Sequence, residues 1–491
     1  MTVRPRFTRS ARALLLAGAA GALAAGAMVA STGAAAPARA ASQGPCDIYA
    51  SGGTPCVAAH STTRALFGAY TGPLYQVRRS SDNTTTNISP LSAGGVANAA
   101  TQNSFCAGTS CVITEIFDQS GNGNNLTQAL GGGAAAGPDG LANATAAPVT
   151  VGGQPAYGVF IAPGDGYRDD STRNIATGNN PEGIYDVVDG THFNGGCCFD
   201  YGNAETNNND DGNGTMEAVA FGNIRVWGFG AGNGPWIMGD LENGLYAADH
   251  LGLSSNDPTT NFRFTTAMVE GSSANQWAIL GGNAQSGGLA TDWSGPRPSQ
   301  SAGYFPMKKQ GAIILGTGGD NSDGADGTWY EGVMTSGEPS AATEAAVQAN
   351  IVAAGYAAAS ITGVTGPITS GVNGAKCMDD NNGSGANGTK VQMWDCDGFA
   401  AAQNWTVSSN GTVTIDGGCL DITGANFSNG TLIELWTCNG GSNQQWQATN
   451  GQLVNPASGK CLDDPNFNTA NGTQLILWTC NGGANQQWHL P

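Results

Sequence analysis

Short runs of continuous or alternating apolar residues recur along the chain between clusters of Gly, Asn and Asp. They include Cys111-Val-Ile-Thr-Glu-Ile-Phe117, Ala156-Tyr-Gly-Val-Phe-Ile161, Met216-Glu-Ala-Val-Ala-Phe221 and Phe262-Arg-Phe-Thr-Thr-Ala-Met-Val269. Gln276-Trp-Ala-Ile-Leu280, Ala312-Ile-Ile-Leu315 and Trp329-Tyr-Glu-Gly-Val-Met334 follow. Runs of this length bounded by turn formers are strand signals, and many together predict an all-β sandwich. Helical spacing is scarce. Its best instance follows Pro339-Ser340, where Val347, Ile351 and Ala354 recur before a stop at Gly355. The pattern outlines one large β domain over residues 44–358, a short weakly apolar connector over 359–367, and a further β region over 368–491.

Within the first domain, one stretch concentrates chemistry: Gly234-Pro-Trp-Ile-Met-Gly-Asp-Leu-Glu-Asn-Gly244. It reads as a strand that runs into a turn at Asn243-Gly244. Two-residue periodicity then points Asp240 and Glu242 the same way, behind Trp236 and Met238. Two carboxylates beside an aromatic wall suit a sugar-cleaving site, where one attacks and others hold hydroxyls. The bland alternative is a half-exposed strand whose acids face water. A second acid, Asp320, follows Ala312-Ile-Ile-Leu-Gly-Thr-Gly-Gly319. A strand ending in Gly-Gly admits a ligand close to the backbone, which puts Asp320 at the rim, within reach of a leaving-group oxygen. Glu217 and Glu331 lie inside strands and compete for structural roles. No Gly-x-Ser-x-Gly elbow occurs, and the scattered His60, His192, His250 and His489 suggest no triad.

The last region repeats itself. Cys377, Cys419 and Cys461 stand 42 residues apart, and each is followed 19 residues later by Cys396, Cys438 or Cys480. Trp394, Trp436 and Trp478 precede the second cysteine of each unit by two positions, and each unit ends in Gln-x-Trp at Trp405, Trp446 or Trp488. Three copies at a fixed period imply three units burying a shared core. One disulfide per unit is the economical pairing: Cys377–Cys396, Cys419–Cys438 and Cys461–Cys480.

Composition narrows the function. At 491 residues the chain is too long for one compact domain. Residues 1–40 read as a secretory signal, with Arg4, Arg6, Arg9 and Arg12, an apolar run from Leu14 to Ala30, and Ala38-Arg39-Ala40 as the cleavage site. A mature start near Ala41 and an extracellular location follow. Five of the 18 basic residues fall in that segment, leaving 13 against 37 acidic ones, a net of −24. Such a surface suits neither nucleic acid nor an anionic membrane, and points to a neutral ligand such as polysaccharide. Twelve cysteines in an exported chain predict disulfides. Without a Cys-x-x-Cys pair, and with four histidines, no metal or cofactor is expected. Asn207-x-Asn209-x-Asp211-Gly212 imitates half a calcium loop, but Ala218 stands where Glu is required, so it reads as a polar loop.

The tandem Cys-Leu-Asp…Leu-Trp-x-Cys…Gln-x-Trp pattern of residues 368–491 resembles the ricin B-type lectin domain, a β-trefoil. The resemblance makes the final tryptophans core residues. It implies sugar contacts at Asp421, Trp436, Asn439 and Asn443 in the second unit, and at Asp463, Trp478, Asn481 and Asn485 in the third. The first unit keeps Asp379 and Trp394 but has Asp397 and Ala402 in place of the two Asn, which leaves its binding open. An aromatic face stacks on a pyranose while Asp and Asn exchange hydrogen bonds with its hydroxyls.

Gly44-Pro-Cys-Asp-Ile-Tyr49, Pro55-Cys-Val-Ala-Ala-His-Ser-Thr-Thr-Arg-Ala-Leu66, Asp118-Gln-Ser-Gly-Asn-Gly-Asn124, Cys197-Cys-Phe-Asp-Tyr-Gly-Asn-Ala-Glu-Thr206, Gly234-Pro-Trp-Ile-Met238 and Gly318-Gly-Asp-Asn-Ser322 stand out in the first domain. Together they resemble the α-L-arabinofuranosidase B catalytic domain, glycoside hydrolase family 54. The resemblance implies a concanavalin-like sandwich that hydrolyses terminal arabinofuranosyl groups with retention. It places the nucleophile on Glu242 and the acid/base on Asp320, and sugar-holding roles on Trp227, Asp240, Asn243 and Gly319. It also implies a vicinal disulfide, Cys197–Cys198, packing on the sugar, after which Cys46–Cys56 and Cys106–Cys111 pair naturally. The fungal family carries a different, arabinose-binding trefoil, so the polymer does not transfer. The expectation is a secreted, monomeric, exo-acting α-L-arabinofuranosidase acting on plant cell-wall arabinoxylan or arabinan. The rivals are a non-catalytic two-module lectin, and a related endo-arabinanase or β-xylosidase.

Overall fold

The computed structural model describes residues 43–491 apart from 108, 300–302, 359–363, 409–410, 440 and 450. The expected signal segment, the start near Ala41 and the first part of the connector lie outside the described residues. Two antiparallel sheets build the first domain. One runs Cys56–Ser61, Gly327–Thr335, Glu182–Phe193, Phe264–Gly271, Trp277–Asn283 and Leu289–Gly295, with Val159–Ile161 also paired to Gly327–Thr335. The other has ten strands, in the order Leu245–Tyr246, Trp236–Asp240, Glu217–Gly222, Asp200–Ala204, Ala312–Leu315, Tyr167–Asp169, Leu126–Gln128, Cys111–Ile116, Tyr75–Arg79 and Thr85–Ile88.

The sheets pack face to face, as the sandwich expectation requires. Tyr201, Val219, Ile237, Ile313 and Leu315 of the ten-stranded sheet share one core with Ile184, Val188, Val269, Ile279 and Trp329 of its partner. Alternation sends the neighbours of these residues to the opposite face. There Ala204, Met216, Ala218, Ala312 and Ile314 form a second small cluster, and Cys198, Ala220, Trp236, Met238 and Leu245 a third. The strands Asp200–Ala204, Glu217–Gly222 and Trp236–Asp240 are therefore buried on both faces. The outer of those faces carries the candidate site.

The helix Ala341–Ala354 begins where Ser340 accepts a hydrogen bond from the Thr343 amide and ends at Gly355, whose φ of 71° needs no Cβ. Val347 and Ile351 bury its inner stripe. Two short helices, Pro45–Ser51 and Ala99–Phe105, carry too few turns to show a period in the sequence. The six expected disulfides are all present. Among the described residues, no helix is long and apolar enough to cross a membrane.

The C-terminal region is a curled multi-stranded sheet around one apolar core, consistent with a β-trefoil. Its three units repeat at atomic detail. The indole nitrogens of Trp405, Trp446 and Trp488 donate to the carbonyls of Met378, Leu420 and Leu462 at 2.8, 2.9 and 3.1 Å. These tryptophans are core residues, buried at 0–3% exposure.

Candidate active site

Trp236, Met238 and Asp240 share the outward face of their strand, while Ile237 enters the sandwich core. Glu242 reaches the same side by another route than strand alternation. The strand ends at Asp240, and Asp240 pairs with Leu245 across a tight hairpin. Glu242 and Asn243 are the two central turn residues, with φ of 65° and 56°. The turn thus sits one residue earlier than Asn243-Gly244. Two left-handed central residues give the turn type whose twist matches a hairpin. Holding a glutamate there costs about 1–2 kcal/mol. The surroundings impose it: the Glu242 amide donates to Asp240 Oδ1 at 3.0 Å, and the Tyr304 hydroxyl donates to the Glu242 carbonyl at 3.0 Å. Strain of this kind concentrates at functional positions.

Asp320 lies on the loop after strand Ala312–Leu315, folded back by Gly318 N donating to Ser322 O at 2.9 Å. Its Oδ1 accepts the Ser322 amide at 3.1 Å. Gly319 is needed for a reason other than ligand approach alone. A Cβ there would lie 2.1 Å from Glu205 Oε2 and 3.0 Å from Glu242 Oε2. Arg168 fastens this loop from behind, donating Nη1 to the Gly319 carbonyl at 2.7 Å and Nη2 to the Glu205 carbonyl.

Glu242, Asp320, Cys197, Cys198, Trp227, Asp240, Asn243 and Gly319 all line one pocket of about 110 Å³. The Cys197–Cys198 disulfide lies against Asp240, whose Oδ2 is 3.7 Å from Cys198 Sγ, and against Ser322. These sulfurs and the Asp240 carboxylate stand within 4.8 Å of one another, but a disulfide has no thiolate to offer a metal. Sequence reasoning missed Asp210 and Ser322 as lining residues. Asp210 comes from the loop that imitates a calcium site, and its Oδ1 accepts Asn243 Nδ2 at 3.0 Å. It also missed Glu205 and Asp200, which stand behind the wall. Glu205 lies within the stretch carrying the vicinal cysteines, so its position was on view, though its direction was not.

The site's electrostatics are unusual. Glu242 is pushed up to about 11, first by burial and then by Asp240, Glu205 and Asp210. Asp240 is driven far above the ordinary carboxylate value by burial and by Asp200, and Asp200 itself by burial. Glu205 is raised by burial. Carboxyls packed this closely cannot all ionise, so the cluster titrates as a unit and retains protons near neutral pH. The competing acids have other work. Glu331 is clamped by Arg64, with Nε to Oε2 at 2.5 Å and Nη2 to Oε1 at 2.7 Å. Glu217 is held by Arg297 at 2.6 Å and Lys309 at 2.7 Å.

The trefoil presents two equivalent clusters. Asp421 Oδ2 accepts Asn443 Nδ2 at 2.9 Å and Gln444 Nε2 at 2.7 Å; Asp463 Oδ2 accepts Asn485 Nδ2 at 2.9 Å and Gln486 Nε2 at 2.7 Å. Trp436 and Trp478 stay 42% and 40% exposed, leaving ring surface to stack on. Asn439 and Asn481 use Oδ1 to close turns onto the amides of Gly441 and Gly483. The first unit differs. Asp379 Oδ1 accepts Gln392 Nε2 at 2.9 Å and its Oδ2 accepts Gln403 Nε2 at 3.1 Å, so both oxygens are engaged. Glu434 and Ile476 occupy the register position of Gln392 in the other units.

The catalytic family of α-L-arabinofuranosidase B matches residues 45–357, and the ricin-type β-trefoil lectin domain matches residues 364–488. A probable α-L-arabinofuranosidase B of Aspergillus terreus is 66% identical over 323 residues, which are 65% of this chain and 63% of that protein. An α-L-arabinofuranosidase of Hypocrea jecorina is 63% identical over 348 residues, 70% of this chain and 67% of that one. The chain thus spans 63–67% of the length of these relatives. A family-54 α-L-arabinofuranosidase soaked with a cyclic sulfate inhibitor superposes with a TM-score of 0.66 at 42% identity, covering 91% of this chain and 98% of the other. An arabinofuranosidase complexed with arabinofuranosyl-α-1,2-xylobiose gives 0.65 at 42% identity, with the same coverage. By its catalytic domain the chain belongs to the α-L-arabinofuranosidase B family, and a ricin-type lectin domain follows it.

Proposed function

We propose that this protein is a secreted, retaining, exo-acting α-L-arabinofuranosidase that removes terminal arabinofuranosyl groups from arabinoxylan or arabinan. The observation that carries the reading is the pocket itself. Glu242 and Asp320 come from two separate loops to the wall of one cavity of about 110 Å³ that also exposes a disulfide. A pocket this small suits one terminal pentose rather than a chain interior. Glu242 attacks the anomeric carbon as a carboxylate, and Asp320 gives its proton to the departing oxygen. Asp320 then takes a proton from the water that releases arabinose. Asp240, Asn243 and the Gly319 backbone offer hydrogen bonds to the furanose hydroxyls, while Trp227 and the disulfide supply apolar surface. The second and third trefoil units bind sugar and raise the local concentration of polymer at the pocket.

An NMR time course on 4-nitrophenyl α-L-arabinofuranoside tests the reading. The α-anomer of arabinose is expected first. A β-anomer first would mean inversion and would overturn both roles, and no release would favour the lectin-only alternative. Product size separates the remaining rival: single pentoses for exo action, oligomers for endo. A relative from Trichoderma koningii, 62% identical over 348 residues, is named arabinofuranosidase/β-xylosidase, so an aryl β-xyloside belongs in the same assay.

A further inference from the structure

Glu205 is fully buried and follows the strand Asp200–Ala204 directly, behind the pocket wall. One carboxyl oxygen is pinned: the Thr215 hydroxyl is wedged between Glu205 Oε1 and the Gly212 carbonyl, 2.5 Å from the latter. The other, Oε2, receives no N–H or O–H from any described residue. It points at Glu242. Glu205 Oε2 and Glu242 Oε2 converge on the spot that a Gly319 side chain would fill, 2.1 and 3.0 Å from it. Arg168 keeps the two walls in register, because its guanidinium donates to the carbonyls of both Glu205 and Gly319. Two buried carboxyl oxygens that face each other without a donor between them need a proton.

We propose that Glu205 is a positioning residue for Glu242: the two carboxyls share one proton, and Glu205 holds it while Glu242 attacks the sugar. This rests on the reading of Glu242 as nucleophile. In the empty pocket the proton is drawn toward Glu242, which burial, Asp240, Glu205 and Asp210 all disfavour as an anion. When positive charge develops at the anomeric carbon, the negative charge is stabilised on Glu242, at the wall, and not on Glu205 behind it. The proton then crosses to Glu205 Oε2 and donates back to Glu242 Oε2, which aims the other oxygen at carbon. Forming the glycosyl ester consumes the Glu242 charge. The leaving oxygen takes its proton from Asp320, and the shared proton never leaves the pair. The other charged groups around the pair are Asp240 and, behind it, Asp200, Asp210 from the polar loop, Asp320 across the pocket, and Arg168 beside Glu205.

The test is the pH profile of kcat/KM on 4-nitrophenyl α-L-arabinofuranoside, with full-length Glu205→Gln and Glu205→Leu. The amide of Glu205→Gln donates permanently, so turnover is expected within about tenfold of wild type, with the acid limb unmoved or lower. Glu205→Leu neither donates nor accepts the proton, so its acid limb should rise by about one pH unit or more and kcat should fall at least about 100-fold. Equal losses in both variants, or acid limbs that do not differ, would overturn the proposal and leave Glu205 a packing residue. Should Glu205→Leu fail to fold, Glu205→Gln decides alone: a loss beyond about 100-fold, or a raised acid limb, overturns it. Glu242→Gln is the control. If that variant keeps its turnover, the nucleophile reading falls. If it is inactive while the Glu205 variants show the wild-type limb, only the present proposal falls.

Discussion

Glu217 and Asp240 stand on adjacent strands of one sheet, one register step apart, and live in opposite electrostatic worlds. Glu217 faces the sandwich interior, where Arg297 and Lys309 meet it, and Lys309 also reaches Glu182 at 2.8 Å. Burial pushes its carboxyl up, but the two cations outweigh that and hold it at about 2. Glu331 is paired with Arg64 and accepts the hydroxyls of Tyr185 and Tyr356. On the outer face, Asp240, Glu242, Glu205 and Asp200 crowd together, and burial raises all four. The difference teaches how to read a buried acid. A carboxylate matched by cations ties layers of the fold together; a crowd of acids that raise one another is poised for proton transfer and attack.

Substitutions that keep shape but remove charge break the comparison most directly. Glu242→Gln should lower kcat/KM on an aryl arabinofuranoside by at least about 10³-fold, with the near-ultraviolet circular dichroism unchanged. Near-normal rates would remove Glu242 from the chemistry. Asp320→Asn should cost about 10²–10⁴-fold on arabinoxylan, and less on a substrate whose leaving group needs no proton. A uniform loss on both substrates would contradict an acid role. On the structural side, Glu331→Gln should leave Arg64 buried without its partner and destabilise the fold by about 3–5 kcal/mol in denaturant titrations, while activity per folded molecule stays put.

Stability against pH sharpens the same contrast, with a smaller effect. Glu242 has a raised folded value, so the folded chain keeps a proton that the unfolded chain releases. This opposes folding increasingly as pH climbs from the ordinary carboxylate value toward about 11. Glu242→Gln should therefore melt above wild type at pH 8, and the gap should close by pH 4. Glu217 is the reverse. Its depressed value contributes stability above the ordinary carboxylate value, which is lost as pH falls toward about 2. Glu217→Gln should melt below wild type at pH 7, with that gap closing in acid. The smallest effects belong to the trefoil. Trp436→Ala and Trp478→Ala should each weaken binding to insoluble arabinoxylan by about 1 kcal/mol, roughly fivefold. Trp394→Ala should change little, because both oxygens of Asp379 are already taken by Gln392 and Gln403. Equal losses at all three tryptophans would show that the first unit binds too.

Much of this was legible in the residues. Fixed spacing revealed the three trefoil units, since a repeat is a property of the linear chain. Strand alternation put Trp236, Met238 and Asp240 on one face, and the resemblance named eight residues that line one pocket. The same alternation sent Glu242 to the side where it lies, but through an extended backbone, whereas the chain turns there with positive φ. Asn243-Gly244 is the commoner turn signal, but the pairing of Asp240 with Leu245 sets the register one residue earlier, with the hydrogen bonds from Tyr304 and to Asp240 holding it. The double glycine before Asp320 suggested room for ligand; in the fold, Gly319 makes room for two carboxyls.

The sequence by itself determined which local structures form and which acids exist: short strands between turns, a capped helix at Ser340, cysteine pairs at fixed spacing, and Glu242 and Asp320 in recognisable settings. These depend on neighbours along the chain. The tertiary structure alone decided which acids meet cations and which meet one another. Glu331 finds Arg64 across 267 residues and Glu217 finds Lys309 across 92, while Glu205 and Glu242 close on the same empty corner of Gly319. The protonation of a carboxyl follows from the dielectric and the charges a few ångströms away, and those are set by the contacts of the folded chain.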